Sequence, residues 1–290
     1  MERMKVLATG ATGQLGWDVV KELKKRNIEC RGTGSKDLDI TDREAVMCYI
    51  QDYRPDAVIH CAAYTAVDKA EDEPERCRDV NVNGTAYIAE ACREIDAKMV
   101  YISTDYVFGD NGDKPHEVND PVHPLNVYGQ TKWEGEEAVR RTLQKYFIVR
   151  ISWVFGEHGN NFVKTMLRLG QTHKEISVVA DQFGAPTYTA DLAPLLCDMV
   201  QTEKYGTYHA CNSGCCSWAE LAEEIFRQAH MDVKVRHITT EEYSTKARRP
   251  KNSRLSTHAL AAQGFVPLRE WQSAESRFLH HVFRISFVSI

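Results

Sequence analysis

The sequence predicts an α/β fold, a doubly wound parallel sheet with a smaller α+β lobe toward the C-terminus. Three observations predict it. An apolar run at 4–8 leads into Gly10, Gly13 and Gly16, overlapped by helically spaced Leu15, Val19, Val20 and Leu23, so the chain opens as strand, glycine turn and helix. Short apolar strands then alternate with longer helical segments as far as residue 153, the pattern of βαβ units. Beyond Gly156 the alternation loosens into shorter, mixed elements.

The first strand is expected at 5–9. The helix over 13–26 closes on Lys24-Lys25-Arg26-Asn27, cations suited to a helix C-terminus. A second strand follows at 28–33. Thr41-Asp42-Arg43-Glu44 has capping-box spacing and starts a helix that Pro55 ends. A third strand at 57–61 runs into the small residues Ala62-Ala63. One long helix is expected at 75–95, a fourth strand at 98–103, a polar loop at 108–125, a helix at 126–144 and a strand at 147–153. Right-handed crossovers make such a sheet doubly wound, of the Rossmann type. The second half offers helices at 161–169, 190–200 and 218–229, strands at 176–180 and 233–238, and a short helix after Trp271. The expected division is a dinucleotide-binding domain at 1–155, with segments returning to it within about 176–210, and a substrate lobe at 156–175 and 211–290.

Composition narrows the class. A hydrophobic content of 43% and a charged content of 27% suit a globular chain in water. A net charge of -5 gives no general attraction for nucleic acid or anionic membrane. No uncharged apolar run nears the roughly 20 residues of a membrane span. Met1-Glu2-Arg3-Met4 leads straight into the first strand without a signal peptide. A cytoplasmic protein without nucleic-acid or membrane partners is therefore expected. The nine cysteines are expected to be reduced and mostly packed. His209, Cys211, Cys215 and Cys216 lack a standard zinc spacing, so no metal is assigned to them.

Three motifs carry chemistry. Gly10 allows a tight turn, Gly13 lets backbone approach a pyrophosphate, and Gly16 lets helix and strand pack closely. The helix start supplies N–H groups for phosphates, with Gln14 and Leu15 beside them. After the second strand, Arg31-Gly-Thr-Gly-Ser35-Lys36 has no acid before Asp37, which leans to NADPH over NADH. Asp39 and Ile40 are placed to reach the adenine; the other reading of Asp39 is a turn residue before the helix. Tyr128 and Lys132, four apart, share a helix face, where a cation favours the phenolate and readies it for proton transfer. The alternative is a surface tyrosine on a lysine stem. Ser103-Thr104-Asp105-Tyr106 ends the fourth strand, at the edge where such sheets bind ligands.

With these features in place, the chain resembles the extended short-chain dehydrogenase/reductases, and within them the dTDP-4-dehydrorhamnose reductase family. The resemblance covers nearly the whole chain. Beside the three motifs it rests on Leu38-Asp-Ile-Thr41, Cys61-Ala-Ala-Tyr-Thr-Ala-Val-Asp-Lys-Ala-Glu71, Asn81-Val-Asn83, Arg150-Ile-Ser-Trp-Val-Phe-Gly156, Asp181-Gln-Phe-Gly-Ala-Pro-Thr187 and Arg249-Pro-Lys-Asn-Ser-Arg254. It implies reduction of the C4 ketone of dTDP-4-dehydro-L-rhamnose by a nicotinamide hydride. Tyr128 is then the proton donor, and Lys132 binds the nicotinamide ribose and lowers the tyrosine's pKa. Thr104 holds the ketone oxygen, Asp105 and Trp153 meet the sugar, and Ala62, Ala63 and Thr65 line the cofactor. Five cations between Lys246 and Arg254, Arg249 among them, are the candidates for the sugar-nucleotide diphosphate. Tyr106 stands where related 4,6-dehydratases carry a glutamate, which argues against dehydration. Two readings stay open beside reduction: epimerisation, and a non-catalytic role like that of the cofactor-binding regulatory subunit of methionine adenosyltransferase. A homodimer and a Mg2+ held by carboxylates, with Asp18 as one counterpart, are left open too. The apolar ending at 280–290 departs from the family pattern and is expected to pack on a neighbour or to be disordered.

Overall fold

Five of the six strands of the central sheet come from residues 5–151, and the sixth returns from residue 206. The structure is a computed structural model and describes residues 4–110 and 112–283; the end of the apolar tail lies outside the described residues. In chain order residues 5–151 run β1 (Lys5–Thr9), α1 (Gln14–Lys25), β2 (Glu29–Thr33), α2 (Arg43–Tyr53), β3 (Ala57–His60), α3 (Val67–Ala70), α4 (Pro74–Arg78), α5 (Thr85–Glu94), β4 (Lys98–Thr104), α6 (Val127–Thr142) and β5 (Tyr146–Ile151). Then come β6 (Val154–Phe155), α7 (Phe162–Gly170), β7 (Glu175–Val179), β8 (Phe183–Gly184), β9 (Thr187–Tyr188), α8 (Thr189–Met199) and β10 (Gly206–His209). The chain finishes with β11 (Asn212–Ser213), β12 (Cys216–Ser217), α9 (Trp218–Gln228), β13 (Lys234–Ile238), β14 (Asn252–Ser253), α10 (His258–Ala262), β15 (Leu268–Glu270) and α11 (Trp271–Phe283).

The sheet order is β10-β5-β4-β3-β1-β2, with every pairing parallel. Because β2 and β3 leave β1 on opposite sides, the chain reverses direction there and opens a crevice at the strands' carboxyl ends. Both faces of the sheet are covered, as parallel sheets require. On one face Leu15, Val19 and Leu23 of α1 pack with Leu192, Leu196 and Met199 of α8 over Val6, Ile59, Val100 and Val149. On the other, Val46 and Ile50 of α2, Ile88 and Cys92 of α5 and Val139 of α6 cover Leu7, Val58, Met99 and Ile148. A separate core joins α7, α9 and α11 through Val163, Leu167, Leu221, Ile225, Phe226 and Phe278.

Two expectations are revised. The helix expected at 75–95 is α4, a π-helical turn at Asp79–Gly84, and α5; a short helix, α3, precedes them. The π turn puts Asn81 under the cleft, where its side chain accepts the Tyr64 N–H at 2.8 Å and reaches Thr131 at 3.1 Å. The cap of α2 is Asp42, which accepts from Ala45 N–H at 3.0 Å, while Thr41 bonds to Asp39. Within the returning stretch 176–210, α8 and β10 join the large sheet, but β7 pairs with β13 in a two-stranded sheet of the smaller lobe. No described helix is long and apolar enough to cross a membrane.

Candidate active site

A cleft of about 870 Å³ lies along the carboxyl ends of β1, β3, β4 and β5, facing α7 and α9. Gly10, Gly13, Gln14, Leu15, Asp39, Ile40, Ala62, Ala63, Thr65, Thr104, Asp105, Tyr128, Lys132 and Trp153 all line it; Arg249 is not among the lining residues. The β1–α1 turn is a backbone solution. Gly10 has φ +67, and a Cβ there would fall 2.6 Å from the Ala62 nitrogen. At Gly16 a Cβ would meet the Gly10 carbonyl oxygen at 2.2 Å. Gly13 caps α1 with no side-chain bond, so the helix start offers its N–H groups to the cleft. That arrangement fits a pyrophosphate.

The end of β2 differs from expectation. Arg31 turns away: its guanidinium stands over the rings of Tyr53 at 4.3 Å and Tyr49 at 5.6 Å. Asp37 folds back to accept the Gly34 N–H at 2.8 Å. Thr33, Gly34 and Ser35, not Arg31 or Lys36, line the cleft here. Asp39 has a turn role as well as a place in the cleft. It lines the cleft, and it holds Thr41 through N–H and hydroxyl bonds of 2.9 and 2.7 Å, which keep its carboxyl below the usual range.

At the end of β4 the Thr104 hydroxyl donates to Asp105 Oδ1 at 2.8 Å and accepts the Tyr106 N–H at 3.2 Å. Tyr128 lines the same cleft. Its helix is set by Asn126, which caps α6 through Gly129 N–H at 2.8 Å. Burial pushes the Tyr128 phenol well above its ordinary pKa; the Thr104 hydroxyl opposes the rise and the Asp105 charge adds to it. The Lys132 ammonium sits over the Tyr101 ring, 4.1 Å from the centroid. Burial lowers Lys132 to about 7, with Glu136 opposing. Burial likewise raises Asp105 to about 6, with the Ser253 and Thr104 hydroxyls opposing, and its Oδ2 makes no hydrogen bond.

Several residues of this floor escaped the sequence reading. Glu136, fully buried one turn beyond Lys132, accepts Ser103 at 2.6 Å, Arg150 at 2.8 and 2.7 Å, and Arg140 at 2.8 Å. Arg150 and Arg140 then hold its carboxyl below the ordinary value against burial. His60 is buried between Thr9 at 2.7 Å and Thr85 at 3.2 Å, and burial lowers it to about 3. The Lys132–Glu136 spacing is visible in the sequence; the partners from β3, β4 and β5 are not.

Across the cleft Trp153 takes φ +46 and stacks on Trp218 at 3.6 Å and 10°. Trp218 begins α9 behind the Ser217–Glu220 capping box and tilts against Phe162 at 4.7 Å. The stack accounts for Gly184, where a Cβ would fall 2.5 Å from the Trp153 ring. The basic loop is largely neutralised. Arg249 closes on Asp68 at 3.1 and 2.6 Å, Arg248 on Asp110 at 3.0 Å, Lys251 on Asp181 and Glu241 at 3.0 Å each, and Lys246 on Asp72. Arg254 lies over the Phe183 ring at 4.3 Å. These pairs strap the smaller lobe to the loops beyond β3 and β4, a task the charge pattern alone did not reveal. The cysteines are free thiols, Cys48 and Cys215 exposed. Among the described residues no group of three or more His, Cys, Asp or Glu is placed to hold a metal ion. Asp18 is buried against Thr189, and burial raises its carboxyl.

The family model described as the RmlD substrate binding domain matches residues 4–284. The chain is 41% identical to the spore coat polysaccharide biosynthesis protein SpsK of Bacillus subtilis (strain 168), over 95% of this chain and 96% of that protein. It is 38% identical to dTDP-4-dehydrorhamnose reductase of Escherichia coli (strain K12), over 97% and 98% respectively. The crystal structure of dTDP-4-dehydrorhamnose reductase from Bacillus anthracis str. Ames in complex with NADP is similar at TM-score 0.94 and 44% identity, over 97% of this chain and 100% of that one.

Proposed function

The chain belongs to the RmlD substrate binding domain family, and from that premise we propose that it is an NADPH-dependent oxidoreductase that reduces the C4 ketone of dTDP-4-dehydro-L-rhamnose to give dTDP-L-rhamnose. The observation that carries the reading is that Thr104, Tyr128 and Lys132 line one cleft that begins at an uncapped helix start. NADPH supplies a hydride to the carbonyl carbon when bound there. The α1 N-terminus and Gly13 hold its phosphates, Ser35 and Asp39 meet the adenosine end, and Lys132 holds the nicotinamide ribose.

Thr104 and Tyr128 act on the oxygen. As C4 accepts the electron pair, negative charge builds on that oxygen, and hydroxyls already in place stabilise it without reorganisation. The Thr104 hydroxyl turns from Asp105 to the ketone oxygen, and Tyr128 delivers its proton. Asp105 Oδ2, buried without a partner, then accepts a sugar hydroxyl. The stacked Trp153 and Trp218 give the sugar nucleotide a flat apolar wall. Arg249 reaches the diphosphate only by exchanging Asp68 for it.

The test uses NADPH deuterated at its transferable position with dTDP-4-dehydro-L-rhamnose. The expected product carries deuterium at C4 of the sugar, and NADH in the same assay gives the slower reaction. A product without label at C4, or return of unreacted ketone from enzyme that binds NADPH, overturns the proposal.

A further inference from the structure

The platform under the Lys132 ammonium is an aromatic ring. We propose that Tyr101 is a positioning residue that holds Lys132 in place and in its charged form, a role that rests on the reductase reading of the same cleft. Tyr101 is fully buried in β4, and Lys132 is 2% exposed. The ammonium stands 4.1 Å above the ring centroid, close enough for a cation–π contact, and such contacts are strongest where water is excluded. The ring is itself fixed. Its hydroxyl donates to the Lys132 backbone carbonyl at 3.2 Å. Gly135 lets α6 come down on it, since a Cβ there would fall 2.3 Å from the Tyr101 hydroxyl. His60 stacks beside it at 5.9 Å and 24°, pinned between Thr9 and Thr85. One side chain thus sets both the height of the helix and the position of its ammonium.

The groups around Lys132 leave the ring a distinct task. On its own helix stand Glu136 and Tyr128; His60 and Cys61 come from the end of β3, Cys77 from α4 and Tyr101 from β4. Glu136 favours the charged form, but its oxygens are shared among Ser103, Arg150 and Arg140. His60 is neutral, and both thiols are raised by burial. The ring face is the uncharged contact that favours ammonium over amine while adding no acid to the cleft.

NADPH binding is measured by fluorescence between pH 6 and 10, without sugar substrate. Affinity falls as pH rises through the Lys132 titration, because only the ammonium serves the ribose. Tyr101→Leu moves that midpoint toward acid by roughly one pH unit. Tyr101→Phe keeps the ring and leaves the midpoint in place. Mono-, di- and trifluorophenylalanine at position 101 keep the shape while draining the ring face, so the midpoint steps toward acid with each fluorine even if the Leu variant does not fold. A midpoint indifferent to fluorination, or shifted as far by Phe as by Leu, overturns the proposal. Wild type that binds NADPH but does not reduce the ketone contradicts the reductase reading alone.

Discussion

Two buried carboxylates lie close to Tyr128 and Lys132, and their surroundings are opposite. Glu136, behind α6, has its charge matched by two guanidiniums and a hydroxyl and is held below its ordinary pKa. Asp105, at the end of β4, has one oxygen paired with Thr104 and the other unpaired, and sits near 6. The first is a closed network that fixes α6 onto β4 and β5. The second is left with bonding capacity at the wall of the cleft. Burial raises both, so partners decide the difference. A satisfied buried acid organises structure, while an unsatisfied one is available to a ligand.

The comparison can be broken by removing each charge. Glu136→Gln leaves Arg150 buried and under-paired, and is expected to cost about 3–5 kcal/mol in urea unfolding. A loss below about 1 kcal/mol would place this acid with ordinary surface pairs instead. Asp105→Asn should act the other way. A carboxyl raised by folding contributes stability that is present below its unfolded pKa and lost as pH rises through about 6. Relative to Asp105→Asn, wild type should therefore lose on the order of 3 kcal/mol between about pH 4 and pH 7. Parallel unfolding profiles across that window would contradict the burial of an under-paired charge. The smallest expected effect sharpens the contrast with the turn outside both regions. Gly10→Ala meets the Ala62 backbone in a left-handed conformation, and about 1–3 kcal/mol of stability should go together with weakened NADPH binding. Unchanged thermal stability would show that the turn relaxes freely.

How much the sequence disclosed followed the range of the interactions. The glycine turn and the Tyr128–Lys132 pair are local, so spacing exposed them; Trp153 came only from the family resemblance, and all of these line one cleft with Thr104. The destination of the Lys132 ammonium was not legible, because Tyr101 reaches it from a different strand. Arg31 misled for the same reason: Tyr49 and Tyr53 lie on a helix that sequence separates from β2. The cations at 246–251 read as a phosphate site, yet their acids come from 68, 72, 110, 181 and 241, partners only the folded chain assembles. The π turn at Asp79–Gly84 left no mark in the apolar periodicity of the long helix around it.

The most direct test of the central claim is Tyr128→Phe, assayed in parallel for NADPH binding and for NADPH oxidation with dTDP-4-dehydro-L-rhamnose. Loss of the proton donor should lower kcat by about 10²–10⁴-fold while the NADPH dissociation constant stays within about twofold of wild type. Near-normal turnover in Tyr128→Phe would contradict it, since the proton would then reach the C4 oxygen from another group.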